Sequence, residues 1–171
     1  MRWLPFFILA YLALGIQQGI GGFVELGHAR LNLALIVIVF VAANAPRDVG
    51  LLACIIVGVT QDLLNAAPWG ISAFTYGVIA IAVMAIKDVV YGDHLLTHFV
   101  LVLYAGIIET IVRLIHGWIY ASLHTEPHWS GPTFGAMLGS AIYTAAVGVP
   151  IIYFLGRLRR SFGMRAPRRM T

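Results

Sequence analysis

The sequence predicts an all-α integral membrane protein: a compact bundle of six transmembrane helices with both termini cytoplasmic. Three observations carry that prediction. Of 171 residues, 60% are hydrophobic and only 11% charged, with a mean hydropathy of +0.90, whereas a soluble domain carries about 25% charge. The apolar residues fall into long runs, as a chain solvated by lipid requires. The basic residues collect on one side of those runs, as a fixed orientation requires.

The runs are Trp3–Ile20, Leu31–Ala45, Val49–Leu64, Trp69–Ile86, Leu95–Tyr120 and Phe134–Leu155. The second and third are shorter than the roughly 20 residues a perpendicular span needs. Asn44-Ala45-Pro46-Arg47-Asp48 separates them, and Pro46 argues against one continuous helix. They read as a hairpin with a tight turn that places Arg47 and Asp48 on the cytoplasmic side. Residues 1–155 form one six-helix domain, and 156–171 a basic cytoplasmic tail with six arginines. The tail is expected along anionic headgroups. The first run lacks an A-x-A site after its apolar core, so it reads as a span rather than a cleaved signal.

Six spans put Arg2, Arg47, Lys87, Arg157, Arg159, Arg160, Arg165, Arg168 and Arg169 on one face, only Arg30 on the other, and Arg113 inside the fifth span. A five-span reading would divide the same charges between the faces. The bias makes the termini cytoplasmic. It also explains the net charge of +4 without a nucleic-acid partner; the partner that composition implies is the lipid bilayer. Trp3 falls at the inner boundary and Trp69, Trp118 and Trp129 near the outer one, as an aromatic belt predicts.

Charged groups within a bilayer cost at least about 2.5–3.5 kcal/mol and tend to face the bundle interior in pairs. Here they are Asp62, Glu109 and Arg113, with Gln17, Gln18 and Gln61 as uncharged companions. Gln17, Asp62 and Glu109 each lie roughly 20 Å from the inner boundary at helical rise, on three outward-running helices. They are expected to form one polar layer. Glu109 and Arg113 share a helix face, and His116 continues it; Asp62 is left to share Arg113 or to be protonated. The expected use of the layer is interhelical hydrogen bonding rather than a substrate or proton site.

Small residues recur at four-residue spacing: Gly15 and Gly19, Gly135 and Gly139, then Ser140, Thr144 and Gly148. These faces are expected to pack inside the bundle, and Pro150 to bend the sixth helix. After Asp62 the chain turns through Asn65-Ala66-Ala67. Pro68 starts the next helix where a missing N–H is harmless, and Gly70 lets the turn pack closely. Asp62 is expected to tie this loop to its neighbours.

Catalytic signatures are missing. There is no H-E-x-x-H, nucleophile elbow, P-loop or dinucleotide glycine pattern. Cys54 is the lone cysteine and reads as a small buried hydrophobe. His94 and His98 have helical spacing, yet no third metal ligand is placed, and His28, His124 and His128 fall in outer loops. No enzyme activity, cofactor or metal is expected.

Three segments carry a family resemblance: Pro46-Arg47-Asp48-Val49-Gly50-Leu51-Leu52, Gly58-Val59-Thr60-Gln61-Asp62-Leu63-Leu64 and Pro68-Trp69-Gly70-Ile71-Ser72-Ala73-Phe74-Thr75-Tyr76. They resemble the MreD family of rod shape-determining proteins, in which a G-x-x-x-D-L-L run precedes a P-x-G-x-x-A-x-x-Y run. Gly58, Asp62, Leu63, Leu64, Pro68, Gly70, Ala73 and Tyr76 match, and Glu109 suits the family. The arginine-rich tail and the outer loop have no counterpart in that pattern. The resemblance implies a non-enzymatic scaffold of the bacterial elongation complex. Its implied partners are MreC and, through it, the MreB filament, RodA and a penicillin-binding transpeptidase. It also implies a fold like that of the substrate-binding subunits of energy-coupling-factor transporters. From that likeness comes the alternative: a membrane subunit that binds a vitamin-type small molecule in a pocket lined by the polar layer.

Overall fold

The computed structural model describes residues 2–20, 29–65, 70–87, 95–123 and 134–157. Among them lie six helices: α1 (Trp3–Ile20), α2 (Leu33–Asn44), α3 (Arg47–Leu64), α4 (Ile71–Ile86), α5 (Leu95–Leu123) and α6 (Phe134–Arg157). Each coincides closely with one of the apolar runs. Two of them, over Leu96–Ile119 and Phe134–Arg157, are long and apolar enough to cross a membrane. The expectations on Pro68, Trp69, Trp129, His28, His94, His124 and His128 lie outside the described residues. So do those on the loop beyond Leu123 and on the tail beyond Arg157.

The centre of the bundle is α2, which touches each of the other five helices. Its sequence, LALIVIVFVAAN, has apolar residues on every side, and a helix without a polar face is stable only when enclosed. Every side chain from Ala34 to Ala42 is buried accordingly. At 12 residues α2 is about 18 Å long, short of the roughly 30 Å of a hydrocarbon core. Protein, not lipid, therefore surrounds it.

Around α2 stand two hairpins, α3 with α4 and α5 with α6, with α4 also against α5; α1 lies chiefly on α2. One face of α3 is buried, formed by Gly50, Ala53, Cys54, Val57, Gly58, Gln61 and Asp62. These positions follow the helical repeat. α6 runs unbroken through Pro150 and reaches Arg157, two residues past the expected domain edge.

Three expectations are corrected. Arg47 and Asp48 do not form the turn after α2; Ala45 and Pro46 make it alone, and Arg47 opens α3. Proline cannot continue a helix behind it but can precede the first turn of the next. α4 starts at Ile71 rather than Trp69, because Gly70 at φ +97° is left-handed, a conformation that glycine alone adopts freely. Among the described residues the Gly15 and Gly19 face of α1 is open, with no atom within 4 Å of where either β-carbon would stand, and Gly135 is open in the same way. The expected face through Thr144 and Gly148 does pack inside, and so does Gly106, which lies outside the four-residue pattern. A β-carbon on Gly106 would meet Ala141 at 2.7 Å, and one on Gly148 would meet Ile36 at 3.3 Å.

Candidate functional site

The polar residues gather around the first turns of α2 and α4. Both places have a physical demand for them, because the first N–H groups of a helix have no partner within it. In a low-dielectric interior each unmet donor costs about 1–3 kcal/mol.

At α2 the demand is acute because the helix begins deep in the bundle. Its neighbours continue past it: Thr144, level with Asn32, is ten residues into α6, about 15 Å at helical rise. The chain reaches α2 along α6. There Ser140 Oγ accepts the Arg30 N–H at 2.9 Å, and Thr144 Oγ1 accepts the Asn32 N–H at 3.1 Å. The spacing Ser140-x-x-x-Thr144 thus serves as a ladder of acceptors for an extended segment. Asn32 is the N-cap, its Oδ1 accepting the Leu35 N–H at 3.0 Å. Gln17 of α1 accepts the Ala34 N–H through Oε1 at 3.0 Å.

The Asn32 amide is held in turn by Glu109, whose two carboxylate oxygens accept from Nδ2 at 2.9 and 3.0 Å. Arg113 completes the chain, with Nε 3.0 Å and a terminal nitrogen 2.9 Å from Glu109 Oε1. The Glu109 side chain is 13% exposed and that of Arg113 40%. The carboxylate is the buried member, and the guanidinium reaches out to neutralise it. A negative group near a helix N-terminus also complements the helix dipole.

At α4 a single carboxylate does the work. Asp62 Oδ2 accepts the N–H of Gly70 at 3.0 Å and of Ala73 at 3.2 Å, and Oδ1 accepts that of Ser72 at 2.9 Å. Gly70, the residue before the helix, makes no side-chain cap, so a residue of α3 supplies the cap from outside. Contact between backbones makes this possible. One turn before Asp62, a β-carbon on Gly58 would stand 2.5 Å from Ala73 Cα and 2.7 Å from the Ser72 carbonyl oxygen. Gln61, buried beside Asp62, accepts the Tyr76 hydroxyl at 2.6 Å. Tyr76 has no exposed surface and lies within electrostatic reach of Asn32, Glu109 and Asp62. It joins the two clusters.

Gln17, Asp62 and Glu109 do not bond one another; Gln17 and Glu109 serve the start of α2, and Asp62 that of α4. Asp62 does not share Arg113, which is held by Glu109. Its carboxylate is held by three backbone donors instead. Asn32 and Thr144 have roles that the charge pattern did not reveal, although an asparagine just before an apolar run is a recognisable cap signal.

Gly58, Asp62, Gly70, Ala73 and Tyr76 of the pattern meet in one joint between α3 and α4, whereas Leu63 and Leu64 are exposed. A comparison with known families matches residues 1–157 to the family described as rod shape-determining protein MreD. The chain belongs to the MreD family. No curated protein and no solved structure matched it. Membership carries a part in determining rod shape. Two helices of membrane-crossing length in an MreD chain make it a membrane protein. For an MreD protein the architecture around Asp62 reads as a joint between helices: Asp62 is bonded to the α4 backbone and Gln61 to the Tyr76 hydroxyl.

Proposed function

We propose that this MreD protein is a non-enzymatic scaffold of the elongation complex in the bacterial cytoplasmic membrane. It binds MreC, and through MreC serves the MreB filament, RodA and a penicillin-binding transpeptidase in organising peptidoglycan synthesis. Its six helices all cross the bilayer with both termini inside, in an arrangement of the kind used by energy-coupling-factor substrate-binding subunits. α2 fits such a bundle despite its length, since an enclosed helix need not match lipid thickness.

The observation that carries this reading is the commitment of Gln17, Asp62 and Glu109 to helix N-termini. A binding subunit would need such groups turned toward a ligand. Their engagement here supports assembly and weakens the vitamin-binding alternative. The broad apolar faces of α1, with Leu4, Phe7, Ile8, Tyr11 and Leu12 exposed, suit contact with lipid or another membrane helix.

Detergent extraction and pull-down of the tagged chain from rod-shaped cells tests the proposal. Recovery of MreC is expected, reduced by Asp62→Ala and Glu109→Ala. Recovery of an ATPase module without MreC would support the transporter alternative. Reporter fusions at each terminus test orientation, and an external signal from either would refute six spans with inner termini.

A further inference from the structure

At the opposite end of the bundle from Asn32 lies a cavity of 340 Å³ lined by Arg47, Met84, Ala85 and Lys87. Arg47 opens α3, and Lys87 follows the last turn of α4. Two cations thus border one small space, with Met84 and Ala85 as its apolar wall. Asp48, the acid next to Arg47, is exposed and is not among the lining residues. Arg47 has no carboxylate within ion-pair distance among the described residues.

Lys87 is drawn inward rather than out to solvent. Its Nζ lies 3.4 Å from the Ala42 carbonyl oxygen near the C-terminal end of α2. That weak contact suits a cation beside a helix C-terminus and leaves most of the three ammonium donors available. Two like charges on one cavity repel, and a shared anion removes that repulsion. Arginine offers a planar fork suited to phosphate, and lysine a point charge that completes it.

We propose that this cavity binds the phosphate of an anionic phospholipid head group. The lipid source rests on the proposed orientation, which sets Arg47 and Lys87 at the inner leaflet. Basic pockets between helices on that face take such head groups, and the Met84 and Ala85 wall suits the glycerol and the first methylenes. A soluble phosphate ester offers the same anion without the chain.

The test uses the full chain in a neutral detergent. Thermal unfolding is followed during titration with cardiolipin, phosphatidylglycerol, phosphatidylcholine or glycerol 3-phosphate. Cardiolipin and phosphatidylglycerol are expected to raise the midpoint and phosphatidylcholine to leave it unchanged. Arg47→Gln and Lys87→Gln should each weaken the apparent affinity about fivefold, since a basic residue near anionic lipid contributes about 1 kcal/mol. Arg47→Lys should restore part of the loss, and Arg30→Gln, at the opposite end of the bundle from the cavity, should behave as wild type. Equal responses from all variants would overturn the site. An equal response to glycerol 3-phosphate would uphold a phosphate site and overturn the lipid as its source. The detergent assay has no sidedness, so failure of the proposed orientation would show in the reporter fusions and not here.

Discussion

Gly58 and Ala73 bring two helices into backbone contact: a β-carbon added at position 58 would stand 2.5 Å from Ala73 Cα. One turn further along α3, Asp62 then reaches three N–H groups at the start of α4. The close approach and the cap are one device, because the carboxylate reaches those amides only while the helices touch.

Gly58→Ala should therefore separate α3 from α4, since the obstructing atoms are backbone and cannot turn aside. Overpacking of this kind costs about 1–3 kcal/mol. Thermal unfolding in detergent should show the loss for Gly58→Ala. Gly15→Ala, at an open position, should stay within about 0.5 kcal/mol of wild type. Equal stability of the two variants would contradict the contact.

Asp62→Ala should cost about 2 kcal/mol or more, the upper end for loss of a cap, because three donors lose their acceptor. Asp62→Asn keeps one acceptor oxygen and should lose less. Hydrogen exchange gives the local readout, with the Ser72 and Ala73 amides losing protection first and α6 holding its own. Uniform loss across all helices would contradict a cap confined to α4.

Glu109 is the hub of the other cluster, and its removal should hurt more than removal of Arg113. Without Glu109 the Asn32 amide and the guanidinium both lose their acceptor; without Arg113 the carboxylate keeps both contacts to Asn32. Effects of Glu109→Ala and Asn32→Ala should be non-additive by at least about 0.5 kcal/mol, as expected for residues in one network. Additive unfolding free energies would separate them.

Phe40 is buried at the centre of α2, whereas Phe154 of α6 is exposed. Phe40→Ala should destabilise by about 3 kcal/mol through the cavity left in the core. Phe154→Ala, on a face open to lipid, should change unfolding little. The comparison tests the central placement of α2, because a peripheral α2 would make the two substitutions alike.

The helices were legible because each apolar run is continuous and its breaks are chemically plain. Pro46 and Gly70 end or start helices by backbone geometry alone, so their effects appear wherever the surrounding chain goes. Asp62, Glu109 and Arg113 stood out because charge is rare in such a chain. The pairing of Glu109 with Arg113 was legible from its spacing, but the partners of Asp62 were not, since a backbone N–H looks the same at every position. Gly15 and Gly19 show the converse. Their spacing matches a packing motif, yet no described residue packs there, while Gly106, outside that spacing, lies against Ala141.

Residue order alone established the membrane-like composition, six helical segments, the placement of charge and the family pattern from Gly58 to Tyr76. These follow from local chemistry: side-chain solvation, proline and glycine geometry, and helical repeat. Folding in three dimensions chose α2 as the enclosed centre. It thereby set the helix starts after Asn32 and Gly70 against neighbouring helices, and directed Gln17, Glu109 and Asp62 to them. The reason is that an unmet backbone donor is a property of where a helix ends up inside the bundle, and no stretch of sequence carries that position.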